Sequence, residues 1–255
     1  MALVDFLPPP GTRIAVVGGC GGMGRALVAA AVEAGLRVAV LDLDRSIAQA
    51  PAEAELTLAC NVSDEASVTA AFAEIERHWG ALDTLVDLAG YTGEPILIKD
   101  MPVAEWDAIT DCCLRGMFLV ARAALPLLEK GDNASIVLIS STFGHRVVWP
   151  GVAPYAASKA GVVALGKALA TENAPGIRVN VISPGVFDTA FLQGGTGREK
   201  REGDNINQGS YHQIVPLKRL GNPREMAGPL LFLAGPAASY ITGQVLHVNG
   251  GIWAP

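Results

Sequence analysis

The sequence predicts a doubly wound α/β fold, a Rossmann-type parallel sheet with helices on both faces. Three observations predict it. Short β-branched runs alternate with longer Ala-rich segments; the short runs are continuously apolar rather than alternating; and a glycine-rich turn joins the first run to the first Ala-rich segment. A strand that is apolar throughout needs cover on both faces, which a parallel sheet with crossover helices provides. Such crossovers are right-handed, so the alternation winds into a doubly wound sheet.

The elements follow in order. Residues 13–17 read as a buried strand, and residues 24–34 as a helix stopped by Gly35. Residues 38–41 form the next strand. Residues 63–79 are helical, with Ser63 as N-cap. Residues 84–88 form a third strand, and residues 103–129 contain a long helix. Residues 136–139 are a strand, 155–173 a helix, 178–182 a strand, 223–234 a helix and 245–248 the last strand. No linker rich in Pro, Gly or Ser divides the chain, so residues 1–255 are expected to form a single domain. Residues 190–216 lack clear periodicity, and a loop that long inside a compact domain reads as a lid over a site.

Composition excludes several classes. Of 255 residues, 50% are hydrophobic and 17% charged, enough for a large core. The net charge of −6 and the lack of a long basic stripe argue against nucleic acid as partner. The charge run at residues 198–202 mixes both signs and reads as a solvated loop. Four cysteines form no C-x-x-C pair, and four histidines show no metal-ligand spacing, so no metal is expected. The thiols read as reduced, in a cytoplasmic protein. No basic residue precedes the first apolar stretch, and Pro8 to Pro10 interrupt it, which is not a signal peptide. No run of 18 apolar residues exists to span a membrane.

Chemistry gathers at two places. The first strand runs into Gly18-Gly19-Cys20-Gly21-Gly22-Met23-Gly24, and a helix begins. Glycines there let the backbone approach a pyrophosphate, and the free N–H groups and dipole of the helix start favour its charge. Asp42 ends the second strand, 18 residues after Gly24. A carboxylate there accepts hydrogen bonds from ribose hydroxyls and repels a 2′-phosphate, and Leu43 offers that phosphate no counter-charge. The expected cofactor is NAD. A helix cap or a surface carboxylate is the plainer use of Asp42. Cys20 is either a thiol acidified by the helix start or a filler of the turn, and filler is the reading adopted.

The second place is Tyr155 and Lys159, four residues apart on one helix face. A phenol exchanges its proton poorly at neutral pH, and a neighbouring ammonium favours the phenolate. Ser141 follows the strand at 136–139, where strand ends meet the ligand crevice, and its hydroxyl can hold a substrate oxygen. A Tyr-x-x-x-Lys pair alone is common on helix surfaces.

Taken together, these pieces resemble the short-chain dehydrogenase/reductase family, from about Arg13 to Gly251. The matching motifs are Gly18-x-x-x-Gly22-x-Gly24, Ala89-Gly90, Ile139-Ser140-Ser141, Tyr155-Ala-Ala-Ser-Lys159, Asn180-Val-Ile-Ser-Pro184-Gly185 with Thr189, and Gly243 to Gly251. The resemblance implies Tyr155 as general acid/base, Ser141 orienting the substrate oxygen, and Lys159 holding the nicotinamide ribose while lowering the Tyr155 pKa. It implies cofactor contacts from Gly18, Cys20, Gly22, Met23, Gly24, Asp42, Leu43, Asn61, Val62, Ala89 and Gly90. Further contacts come from Tyr155, Lys159, Pro184, Gly185, Phe187 and Thr189, with Thr189 and the backbone after Pro184 on the carboxamide. It also implies a homotetramer or homodimer.

The sequence departs from the family at Val17, usually Thr; at Asn61, usually Asp; at Asp87-Leu88, usually Asn-Asn; and at Cys113, which stands in Cys113-Leu114-Arg115-Gly116 where the family has its fourth catalytic residue, an Asn. The gap from Ser141 to Tyr155 is 14 residues, one more than expected. Phe143, His145, Trp149 and Val186, with Phe187, are the expected walls of a mostly apolar substrate pocket. The activity expected is hydride transfer between NAD and a secondary alcohol or ketone. Two rivals stand beside it: a non-catalytic NAD-sensing protein on the same fold, which the Cys113 departure favours and intact Ser141, Tyr155 and Lys159 oppose, and an enzyme of the family acting on an enoyl double bond.

Overall fold

The computed structural model describes residues 5–199 and 208–254. In chain order it contains β1 (Arg13–Val17), α1 (Gly22–Glu33), β2 (Arg37–Asp42), α2 (Asp44–Gln49), β3 (Leu56–Ala59), α3 (Glu65–Trp79) and β4 (Thr84–Asp87). Then come α4 (Val103–Thr110), a π turn (Asp111–Arg115), α5 (Gly116–Leu128), β5 (Ser135–Ile139), α6 (Ala153–Asn173) and β6 (Arg178–Pro184). The chain closes with α7 (Gln208–Ile214), α8 (Arg224–Ala234) and β7 (Val245–Val248).

The seven strands form one parallel sheet in the order β3-β2-β1-β4-β5-β6-β7. Every residue of β4, β5 and β6 is buried, which is why these strands read as mainly apolar runs, with buried polar residues such as Asp87, Arg178 and Asn180 among them. α1 and α8 pack together over one face of the sheet; α3, α5 and α6 cover the other. The strand order reverses between β1 and β4, so the crevice opens beyond their carboxyl ends.

Four local readings need correction. The cap of α3 is Asp64, not Ser63: its carboxylate accepts from Ala66 N–H at 3.0 Å, while the Asn61 side chain accepts from Ser63 N–H at 3.2 Å. The Asn61 turn thus delays the helix by a residue. α2 and β3 are too short and too exposed to declare themselves by periodicity, β3 being a half-buried edge strand. The long helix is interrupted by the π turn, whose flanks Thr110 and Gly116 keep right-handed helical angles. The stretch 190–216 contains a 3-10 turn, Ala190–Gln193, and α7; residues 200–207, with part of the charge run, lie outside the described residues. Among the described residues no helix is long and apolar enough to cross a membrane.

Candidate active site

The crevice has two connected compartments. The larger, about 380 Å³, lies against the glycine turn. A Cβ on Gly24 would collide with the Gly18 carbonyl oxygen, and one on Gly22 with the Thr189 side chain. Bare backbone is therefore required where β1 passes into α1. No side chain caps α1 and no acidic residue occupies its first turn, so its leading N–H groups remain available to an anion. Asp42 is held at the rim of the same compartment: one carboxylate oxygen accepts from Cys20 N–H at 2.9 Å, the other from Leu43 N–H at 2.8 Å. This arrangement of glycines, free N–H groups and a fixed carboxylate fits a dinucleotide.

Gly18, Gly22, Met23, Gly24, Asp42 and Leu43 line this compartment, with Asn61, Val62, Ala89, Gly90 and Thr189. Cys20 does not line it. Its side chain is fully buried and burial pushes its thiol up to about 11, which fits the filler reading; its backbone is what reaches Asp42. Two cations, Arg45 and Arg198, also line the compartment. The reading of Leu43 alone, which left this end without a base, is incomplete on that point.

The smaller compartment, about 120 Å³, has Ser141, Tyr155 and Lys159 in its wall. Lys159 is 2% exposed and donates from Nζ to the Ile139 carbonyl at 2.9 Å; Ser140 Oγ donates back to the Lys159 carbonyl at 2.7 Å. These bonds stitch α6 to the end of β5. Ser141 Oγ accepts from Phe143 N–H at 3.1 Å, which turns the chain into a short 3-10 helix, and Gly144 there lies against the backbone of Lys159 too closely for a Cβ.

The electrostatics differ from the simple expectation. Lys159 Nζ lies 5.6 Å from the centre of the Tyr155 ring. Yet the buried phenol is raised, by desolvation first and then by Cys113, with the Ser141 hydroxyl opposing. Burial lowers the Lys159 pKa as well, and its Nζ keeps two donors beyond the one given to Ile139.

Cys113 sits in the π turn, fully buried, with its thiol donating to the Tyr91 carbonyl at 3.3 Å. A Cβ on Gly90 would touch both Cys113 Sγ and Lys159 Nζ, so the thiol and the ammonium flank one small gap. Hydrogen bonding from Cys112 and the nearby ammonium favour the Cys113 thiolate, while Cys112 is raised. A π turn re-registers backbone carbonyls, and such turns recur at functional sites.

Asp87 closes this cluster. It is fully buried; one oxygen accepts from Ala89 N–H at 3.0 Å and the other has no partner among the described residues. Burial raises its carboxyl to about 6, against the Ala89 N–H and the Lys159 charge. The folded chain therefore keeps a proton that the unfolded chain gives up near the ordinary carboxyl value of 3.8, and stability falls as pH rises from there through about 6. The loss amounts to about 3 kcal/mol above that window. Asp87→Asn is expected to remove it: urea unfolding should find the variant more stable than wild type at pH 8, with the gap closing by pH 4. Parallel pH profiles for the two proteins would refute this.

Of the expected substrate walls, Phe143, Trp149, Val186 and Phe187 line the small compartment. The aromatic rings brace each other: Phe143 meets Trp149 edge-on at 5.0 Å and Tyr155 at 6.4 Å. Tyr211 lies beyond Trp149, and its hydroxyl accepts from Val186 N–H at 2.9 Å. His145 is not a wall. It stacks on Trp253 at 4.8 Å and meets His247 edge-on, because the 3-10 turn sends Phe143 inward and His145 toward the C-terminal residues. Pro184 and Gly185 line the compartment, as expected for the carboxamide end. Sequence reasoning missed Thr92, Gly93, Pro95, Val152, Phe191 and Leu192, which line it from loops and from the short 3-10 turn Ala190–Gln193, segments without a periodic signal.

Comparison with known proteins agrees with this geometry. A family profile described as enoyl-(acyl carrier protein) reductase matches residues 18–253. The uncharacterized short-chain type dehydrogenase/reductase y4mP of Sinorhizobium fredii is 34% identical over 253 residues, covering 94% of this chain and 97% of its own. The 3-oxoacyl-(acyl-carrier-protein) reductase FabG of Staphylococcus aureus is 35% identical over 248 residues, 93% of this chain and 96% of its own. A crystal structure of a short-chain type dehydrogenase/reductase from Mycobacterium marinum superposes with a TM-score of 0.86 at 31% identity, covering 98% of this chain and 99% of that one.

Proposed function

The chain belongs to the short-chain dehydrogenase/reductase family of oxidoreductases, and from that premise we propose that it transfers hydride between NAD and the carbinol or carbonyl carbon of a secondary alcohol or ketone. One observation carries the reading: the wall with Ser141, Tyr155 and Lys159 and the cleft at the glycine turn are adjoining compartments that share Met23, Ala89, Gly90, Thr189 and Phe191.

Bound NAD supplies a hydride acceptor, or in reduced form a donor, at the nicotinamide C4. The rest is done by the chain. The glycine turn and the start of α1 hold the phosphates, and Asp42 accepts from the adenosine ribose hydroxyls. Asn61 and Val62, which line the same compartment, would hold the adenine. Lys159 holds the nicotinamide ribose, and Thr189 with the backbone at Pro184 and Gly185 holds the carboxamide. Ser141 Oγ holds the substrate oxygen. Tyr155 takes that oxygen's proton in oxidation and returns it in reduction. Because burial raises the phenol, the oxidation rate rises with pH and the reduction rate does not. The π turn at Cys113 offers a backbone carbonyl in place of the amide side chain that the family carries, and the buried Cys113 thiol lies with the Lys159 ammonium beside Gly90. The lid at 190–216, the cytoplasmic location and the homotetramer or homodimer belong to this reading.

Apart from a few hydroxyls the walls are aromatic and aliphatic, and among the described residues Lys159 is the one charged side chain lining them. They favour a mid-sized ring or chain with one hydroxyl. A second reading, favoured by the name of the S. aureus relative, is reduction of a 3-oxoacyl thioester. NAD reduction measured over cyclic and aryl secondary alcohols, a polyol and a 3-hydroxyacyl thioester separates them. Turnover confined to the thioester would displace the first reading, and turnover of none would displace both.

Asp42 sets the expected cofactor preference. A carboxylate facing a 2′-phosphate costs several kcal/mol, so kcat/KM with NAD should exceed that with NADP by about 100-fold or more. Asp42→Ala is expected to weaken NAD and narrow the ratio. Equal use of both cofactors by the wild type would rule out this role, and Arg45 would then be the residue to examine.

A further inference from the structure

We propose that Arg198 is a cofactor-binding residue that pairs with the pyrophosphate of the dinucleotide from the lid side. The proposal rests on the reading of the larger compartment as the NAD site.

The segment before Arg198 is fastened to the wall beside Asp42. The Thr196 carbonyl accepts from Ser46 Oγ at 3.0 Å, and Gly197 N–H donates to Gln49 Oε1 at 2.7 Å. Gly197 has φ +73°, and a Cβ there would stand 2.7 Å from Ser46 N. Only glycine permits both this angle and this approach. Ser46 and Gln49 belong to α2, which follows directly from β2 and Asp42.

Arg198 then reaches the opposite wall. Its guanidinium carbon lies 3.7 Å from the centre of the Tyr91 ring, just past Ala89-Gly90 at the end of β4. Backbone on one wall and side chain on the other make residues 195–198 a strap across the cleft, and Gly21 and Gly22 at the start of α1 line the same compartment. Stacking on an aromatic face steadies a guanidinium and leaves its N–H groups free in its own plane. In that plane they match the oxygens of a phosphate.

Charge points the same way. Among the described residues lining the compartment, the only acid is Asp42 and the cations are Arg45 and Arg198. Arg45 is exposed and lies three residues after Asp42, at the adenosine end. Arg198 is partly buried and held by its ring and its strap. A dinucleotide brings two phosphate charges to the middle of the cleft, where the α1 dipole supplies about half a charge. Arg198 is the side chain fixed over that middle.

The test is direct binding, without turnover. Wild type, Arg198→Ala and Arg198→Lys are titrated calorimetrically with NAD, ADP-ribose, NADP and adenosine. A charge-assisted contact of this kind predicts a loss of about 10- to 100-fold for NAD and ADP-ribose in Arg198→Ala. Arg198→Lys should recover part of it, and adenosine should bind all three alike, which also reports that the variants are folded. The wild-type affinity for NAD should fall with salt more steeply than that of Arg198→Ala. Unchanged NAD affinity in Arg198→Ala overturns the proposal. So does an equal loss for adenosine, which would make the strap a structural element only. A loss confined to NADP would place the cation at the ribose 2′ position and also overturn it. Failure of the dehydrogenase reading looks different: no alcohol is turned over, while NAD binding still depends on Arg198.

Discussion

Tyr155→Phe is expected to lower kcat/KM by about 10²- to 10⁴-fold, the usual contribution of a positioned acid/base, while the Kd for NAD stays within about threefold of wild type. The ring is held independently of the hydroxyl. It packs edge-on to Phe143 at 6.4 Å and against Phe191 at 6.0 Å, and the residue is 6% exposed. Phe keeps these contacts and leaves a fully apolar ring in a site whose desolvation already disfavours the charged phenolate. Unfolding stability should therefore be equal or slightly higher. The two directions of the reaction give an internal check. In wild type, alcohol oxidation needs the phenolate and should climb through the alkaline range, whereas ketone reduction needs the phenol. In Tyr155→Phe the residual rate should lose that opposition. Retention of more than half the activity would show that the proton travels by another group.

The parts of this site legible in the sequence are those whose geometry is local. The glycine turn between β1 and α1 and the Tyr155–Lys159 pair are fixed by a few bonds of chain, so spacing alone places them. The strands are legible because burial on both faces makes them mainly apolar, and the few polar residues they carry, such as Asp87 and Asn180, are buried with them. What was not legible depends on chain direction or on tertiary neighbours. His145 and Phe143 lie two residues apart, yet the 3-10 turn capped by Ser141 sends one to Trp253 and the other into the cavity. The π turn at Cys113 hides inside an ordinary helical period, because its flanks stay helical. The meeting of Arg198 with Tyr91 depends on hydrogen bonds that tie Thr196 and Gly197 to α2, and no local pattern announces it. Spacing likewise identifies the ammonium next to Tyr155 but not the burial that raises the phenol.

That same burial makes Lys159 the other decisive residue, and Lys159→Met is expected to separate stability from activity. Burial lowers the Lys159 pKa, with Cys113 and Asp87 opposing that shift. Placing an ammonium there costs several kcal/mol, recovered only through its partners. Met is unbranched, of similar length, and fills irregular space well. The substitution deletes the desolvation cost but strands the Ile139 carbonyl, which loses its donor, at about 1–3 kcal/mol. It also leaves Asp87 without a nearby cation, so that carboxyl should hold its proton to higher pH. These terms nearly cancel, and Tm should stay within about 4 °C of wild type, roughly 1 kcal/mol at this chain length. Activity has no such compensation: the ribose loses its ligand and Tyr155 loses the adjacent charge, so kcat/KM should fall at least about 100-fold, with a weaker Kd for NAD. Adding Asp87→Asn removes the stranded carboxyl, so the double variant should be more stable than Lys159→Met at pH 8 yet no more active. Asp87→Asn should also stabilise the Lys159→Met background more than it stabilises wild type at pH 8, and that excess is the non-additive signature of two buried charges that answer each other. If Lys159→Met instead unfolds well below wild type while the molecules still folded turn over normally, Lys159 holds β5 to α6 and nothing more.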